Sequence, residues 1–238
     1  MAVQPKLVLY SSHASGCSQR LWIALAYKQL AHEIVTIDPT TRSSKYKQNV
    51  NPSARVPTLH ATYPDGRELW LKNSITALRW LDEAFLQTPQ LVPGPDDWNK
   101  RALVLDLFSL TTADTQPVQN SRICRRAGEV LYAHSNGGED RDEAVAKGGQ
   151  EWRRMVIRDY LESFEAMIAG YAGRFAVGDD FTLADLVLYP QMLNGFGVGM
   201  TLDEYPTLSR IWKNIIEHHA IQAGDASRQP DHPSQVSK

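Results

Sequence analysis

At 238 residues the chain has room for one large domain or two small ones, each able to bury a core. Hydrophobic residues make up 42% and charged residues 22%, and 25 Lys+Arg stand against 27 Asp+Glu, so the formal net charge of −2 offers no field for gathering nucleic acid or an anionic membrane. The two cysteines, Cys17 and Cys124, lack CxxC or Cys/His metal spacing, which argues against a disulfide framework or a metal site and fits a reducing, cytoplasmic compartment. No apolar run reaches the ~20 residues that a bilayer requires, and MAVQPKLVLYSSHASG lacks a signal-type apolar core, so a soluble protein is expected.

The hydrophobic period switches several times in the first third. Residues 6–10 read as a strand, a helix opens near Gly16 with Leu21, Ala24 and Leu25 at helical spacing, and a second strand lies around 33–37. Ser15 or Ser18 can cap that helix. The stretch 39–54 is too rich in Ser, Thr, Lys and Asn for core. Residues 56–63 and 67–71 then flank Pro64-Asp65-Gly66, a hairpin turn by its Pro and Gly chemistry. Ser74 opens an amphipathic helix whose Ile75, Leu78, Leu81 and Phe85 recur at three- and four-residue steps. Strand–helix–strand followed by strand–strand–helix is the element order of a thioredoxin-like α/β domain, placed at 1–86.

QTPQLVPGPDD at 87–97 interrupts both periods and reads as a linker. From Trp98 onward the pattern is helical, with Leu103, Leu107 and Leu110 on one stripe, so an all-α domain is expected over 98–224. Pro117 removes an amide donor and predicts a kink or break near Gln116. HSNGGEDRDEAVAKGG at 134–149 reads as a surface loop feeding a helix at 150–169. Thr182 three residues ahead of Asp185 reads as a capping box with Asp in place of Glu. A last helix covers about 207–219, and 225–238 reads as a polar, loosely held tail.

LYSSHASGCSQRLWIALAYK, NPSARVPTLH, LKNSITALRWLDE, DTQPVQN, FAVGDDFTLADLVLYPQ and SRQPDHP, in that order, resemble the marks of the zeta class of glutathione transferases, which includes maleylacetoacetate isomerases. The resemblance covers nearly the whole chain apart from 39–54 and 134–149. It implies the glutathione transferase fold, glutathione as cofactor and a homodimer.

The residues support a parallel reading. Ser15-Gly16-Cys17-Ser18 lies where a strand hands over to a helix, whose free amides and positive dipole end suit an anionic sulfur. By resemblance, Ser15 donates its hydroxyl to the glutathione sulfur; the plain alternative is a helix cap. Cys17 is either a nucleophile or a small neighbour lining the thiol pocket. Tyr10 reads as packing, and His13 as a loop histidine facing solvent, the alternative being a general base or a substrate contact. Val56-Pro57 matches the superfamily's cis-proline turn, which leaves the Val56 backbone free to pair with glutathione. Asn73 and Ser74 begin a helix where the γ-glutamyl carboxylate could sit, although the family usually has glutamine or an acid in place of Asn73. Gln116 and Asn120 approach glutathione by resemblance; otherwise they satisfy carbonyls freed by Pro117. Arg42, Lys45 and Arg55 are candidates for the glycine carboxylate.

Two departures bear on the substrate. Where the zeta pattern has arginines, this chain has Ala14 and Gly197, and losing two cationic clamps points to a less charged, bulkier acceptor. The expected function is a glutathione-dependent transferase or cis–trans isomerase acting on an electrophilic unsaturated carbonyl compound. The competing readings are a non-catalytic ligand-binding or scaffold protein, and a thiol transferase or reductive dehalogenase that uses Cys17.

Overall fold

The computed structural model describes residues 4–38, 44–132 and 141–236. Two compact units divide the chain, one made of 1–91 and 216–238, the other of 92–215.

In the first unit the chain runs β1 (Lys6–Ser11), α1 (Gly16–Tyr27), β2 (Glu33–Thr36), α2 (Ser44–Asn49), β3 (Thr58–Thr62), β4 (Glu68–Leu71) and α3 (Ser74–Ala84). The sheet order is β2-β1-β3-β4, with β1 and β2 parallel and the other pairs antiparallel, which is the thioredoxin-like arrangement expected from the element order. Period-2 alternation turns Leu7 and Leu9 of β1 and Leu59 and Ala61 of β3 to the core, where Leu21, Leu25, Leu78 and Leu81 of α1 and α3 cover them. Each such leucine contributes about 1.5–3 kcal/mol through burial. The hairpin turn closes at Gly66, whose φ of 85° lies in the left-handed region. The polar stretch before it is not all surface, because Tyr46 of α2 is buried.

Lys28, just past α1, is wholly buried. Its Nζ lies 3.0 Å from Asp82 Oδ1 and donates to Thr88 Oγ1 and the Pro89 carbonyl, each at 3.0 Å. The same Asp82 oxygen accepts the Leu91 N–H at 2.8 Å. The start of the expected linker is therefore packed chain, with Leu91 and Val92 buried.

The second unit is all helical, as expected: α4 (Trp98–Ser109), a π-helical stretch (Leu110–Thr115), α5 (Gln116–Val118), α6 (Ser121–Leu131), α7 (Arg141–Ile168), α8 (Leu183–Phe196) and most of α9 (Pro206–Glu217). The break expected at Pro117 takes the form of widened π turns, in which the Gln116 N–H reaches back to the Thr111 carbonyl. Helix α7 begins at Arg141, not near 150. The described glycines that read as loop are contact points: a Cβ on Gly148 would lie 2.6 Å from the Tyr132 ring, and one on Gly149 would lie 2.9 Å from the Cys124 carbonyl. The rest of that expected loop, 134–140, lies outside the described residues.

The boundary at 224 and the loose tail also differ from expectation. Helix α10 (His219–Ala223), a 3₁₀ turn (Ala226–Arg228) and α11 (Pro233–Val236) belong to the first unit. Ala220 and Ile221 are buried, Tyr27 of α1 stacks near His219 at 6.4 Å, and a Cβ on Gly224 would approach Ile23 N to 2.6 Å.

The capping box of α8 forms as read. Asp185, fully buried, accepts the Thr182 N–H and hydroxyl and the Ala176 N–H. Burial nevertheless pushes its carboxyl up to about 6, outweighing those donors.

Two stability outcomes follow. Lys28→Met leaves the Asp82 carboxylate buried without its cation and should lower the urea-unfolding free energy by about 3–5 kcal/mol, while Lys28→Met with Asp82→Leu loses less. A folded-state carboxyl above its unfolded value of 3.8 binds its proton more tightly when native, so the Asp185 contribution to stability declines as pH rises from about 4 to about 6. Asp185→Asn should remove that part of the pH slope, measured by unfolding across the window.

Candidate functional site

Strand β1 ends at Ser11, and a tight turn closed by Ser15 N–H donating to the Ser12 carbonyl at 3.0 Å delivers the chain into α1. Ser15 is the N-cap in extended conformation, and its Oγ accepts the Ser18 N–H at 3.2 Å. Capping uses a lone pair of the hydroxyl and leaves its proton to donate, so the cap and a role toward sulfur are compatible. The amides of Gly16 and Cys17 make no hydrogen bond among the described residues. A half-buried hydroxyl donor, two free N–H groups and the positive end of a 12-residue helix thus converge, a setting that favours an anion.

The sheet register gathers further predicted residues at the same end. Tyr10 near the end of β1 pairs with Thr58 at the start of β3, and Leu59 pairs with Leu71 at the end of β4. Val56-Pro57, immediately before β3, and Asn73-Ser74, immediately after β4, therefore lie at the sheet end from which Ser15 and Cys17 follow. The Val56-Pro57 peptide is cis, and the Val56 N–H and C=O take no hydrogen bond among the described residues. Asn73 caps α3, its Oδ1 accepting the Ile75 N–H at 2.9 Å, which leaves its amide NH₂ to donate.

The half-buried Cys17 has its Sγ 4.0 Å from Nη1 of the buried Arg20. Tyr10 packs, its ring 6.1 Å from Tyr46 and 5.9 Å from Trp70. His13 is not a free surface histidine: its N–H donates to Asp231 at 2.9 Å and its Nδ1 lies 3.3 Å from the same oxygen. Lys45 and Arg55 are exposed, and Arg42 lies outside the described residues.

Sequence reasoning missed Asn51. Buried to 1% exposure, it donates from Nδ2 to the Arg55 carbonyl and Thr58 Oγ1, each at 3.0 Å, and to the Lys72 carbonyl at 3.3 Å. Its Oδ1 accepts from Ser53, and the Tyr46 hydroxyl donates to the Arg55 carbonyl at 2.8 Å. This network braces the loop around Val56-Pro57 and ties it to the chain before Asn73. The Asn51-Pro52 pair, a turn-forming dipeptide, is the mark that could have drawn attention to it.

In the second unit, Gln116 is half-buried, and Asn120 caps α6 through Oδ1 to the Arg122 N–H at 3.3 Å. The fully engaged amide is Gln119, which exchanges hydrogen bonds of 2.6 and 2.9 Å with Gln191 of α8. Ala14, in the first unit, is exposed. Gly197 ends α8, and beside it Arg154 of α7 donates to the Val198 carbonyl at 2.9 and 2.8 Å. That part of the second unit therefore carries a cation, though not at position 197.

Comparison with known proteins identifies the family. Family models described as "Glutathione S-transferase, N-terminal domain" and "Glutathione S-transferase, C-terminal domain" match residues 14–84 and 132–227. The maleylacetoacetate isomerase of Emericella nidulans is 34% identical over 97% of this chain and 96% of its own length. The maleylacetoacetate isomerase of Anaeromyxobacter dehalogenans, solved with glutathione in its active site, superposes with a TM-score of 0.81 at 34% identity, covering 97% of this chain and 100% of that one. A second structure of that enzyme, holding dicarboxyethyl glutathione and citrate, has a TM-score of 0.80 at 33% identity over 97% and 99% of the two chains. With the fold, the serine-capped helix and whole-length similarity in agreement, the chain belongs to the glutathione S-transferase family, in its zeta-class, maleylacetoacetate isomerase branch.

Proposed function

We propose that this protein is a glutathione-dependent cis–trans isomerase of electrophilic unsaturated carbonyl compounds. The observation that carries the reading is the Ser15 cap: a hydroxyl polarised by the Ser18 N–H, its proton left to donate, beside the amides of Gly16 and Cys17, which have no acceptor among the described residues. The residues present fit glutathione. Ser15 donates to the sulfur, and the Gly16 and Cys17 amides with the helix dipole stabilise its anion. The free N–H and C=O of Val56 pair with the cysteinyl backbone as an added strand would. The Ser74 amide and the Asn73 NH₂ take the γ-glutamyl carboxylate at the start of α3.

Bound glutathione supplies a sulfur nucleophile for reversible addition to the acceptor's double bond. The chain's own part is to keep that sulfur ionised before and after the carbon centre turns, so the donors at Ser15, Gly16 and Cys17 act on departure as well as on attack. Relatives of 33–34% identity carrying the isomerase name or glutathione itself support this reading over a scaffold. Cys17, adjacent to Arg20 Nη1, serves as a wall of the thiol pocket. The same reading makes the protein a cytoplasmic homodimer; the free state of Cys17 and Cys124 supports the reducing compartment, and the zeta-class resemblance supports the dimer.

Ser15→Ala removes one hydrogen bond to a charged sulfur and should lower turnover about 10- to 100-fold with modest loss of glutathione affinity; unchanged turnover removes Ser15 from the mechanism. With a cis-enone acceptor, glutathione should remain unconsumed while product accumulates. One-for-one consumption would instead identify conjugation. Asn51→Ala should weaken glutathione binding, seen as a smaller rise in Tm at millimolar glutathione than the parent protein shows.

A further inference from the structure

The chain's last described segment returns to the turn that carries Ser15. Asp231 Oδ2 accepts the His13 main-chain N–H at 2.9 Å and faces His13 Nδ1 at 3.3 Å, and the His232 ring meets the His13 ring edge-on at 5.4 Å. These are the groups that face His13 from the C-terminal segment. The segment has its own framework: buried Gln229 donates to the Asp225 carbonyl at 3.1 Å, Gln235 donates to the Ser227 carbonyl at 2.9 Å, and the Ser234 N–H donates to His232 Nδ1 at 3.2 Å. Asp231 is thus held in place and not merely near.

The turn from Ser12 to Ser15 has few other restraints. Its Ser12 N–H reaches Ser18 Oγ at 3.4 Å, its Ser15 N–H reaches the Ser12 carbonyl at 3.0 Å, and Ser15 takes the Ser18 and Gln19 N–H groups of α1, while Ala14 is exposed and the His13 side of the turn has none of these bonds. Among the described residues nothing but Asp231 accepts the His13 N–H. An exposed ion pair would contribute little, but here one carboxylate oxygen takes a main-chain donor and a ring nitrogen, with the two side chains 20% and 30% exposed.

We propose that Asp231 is a positioning residue of the glutathione site, acting through the His13 main chain to fix the turn from which the Ser15 hydroxyl and the Gly16 and Cys17 amides project. The proposal rests on the function proposed above and adds the C-terminal segment to its machinery. The thiol-binding donors face one point only while the turn keeps its shape, and the carboxylate from 218 residues downstream supplies the restraint that the turn lacks.

The test uses the full chain with Asp231→Ala and Asp231→Asn, the latter keeping an oxygen acceptor at the same reach. In the protein without ligand, Asp231→Ala should raise amide hydrogen exchange at His13 and Ser15, the hydrogen-bonded amides of the turn, about tenfold, with β1 and β3 unchanged. It should also weaken calorimetric affinity for reduced glutathione about tenfold and lower the ultraviolet thiolate absorbance of the saturated complex. Asp231→Asn should restore most of both. Parent-like exchange and affinity in Asp231→Ala, or an Asn variant as impaired as the Ala variant, overturns the proposal. If the parent protein itself fails to bind glutathione, the proposed function falls, and the exchange measurement still decides whether Asp231 holds the turn.

Discussion

A helix cannot satisfy its own first amides, and the architecture of the first unit turns that deficit into a site. Strand β1 runs into α1 through four residues, so the helix opens at the end of the sheet with its dipole directed at whatever lies there. Ser15 answers one of the missing bonds and leaves the Gly16 and Cys17 amides without an acceptor among the described residues. The other site residues are consequences of register. Because β3 is antiparallel to β1 and β4 antiparallel to β3, the chain must enter β3 and leave β4 at the end where it leaves β1.

What was legible in the sequence was local. The strands, α1 and α3, and the capping box of α8 have signatures within a few residues, because alternation, caps and turn residues act over that range. The Ser15 cap was readable for the same reason, whereas the cis Val56-Pro57 turn came from the family resemblance, because a proline by itself does not announce a cis bond. The helix start at Arg141 was not, since Gly148 and Gly149 argue for a loop until the close approach of α6 supplies a reason for them. The same holds for Pro117: its missing donor announces a disruption, but the choice of π turns depends on what surrounds the helix.

Long-range partners were the least visible. Nothing near Asn51 announces that it will bind Arg55, Thr58 and Lys72 together, and nothing near His13 names Asp231. The polar tail from 225 onward carries no hydrophobic period, so sequence reading leaves it loose. Its order comes from side-chain bonds to its own carbonyls and from α10, whose Ala220 and Ile221 are buried. Composition reports whether a segment can build a core, not whether an existing core will adopt it.

The interior placement of Lys28 has a use beyond stability. Its ammonium is enclosed by Asp82, Thr88 and the Pro89 carbonyl with no side-chain exposure, whereas Lys6 and Lys45 stand in solvent. Acylating reagents that mark accessible amines reach Lys28 only when the first unit opens. A mass-spectrometric label at that single position therefore counts opening events in the thioredoxin-like unit alone, separately from any loosening of the helical one.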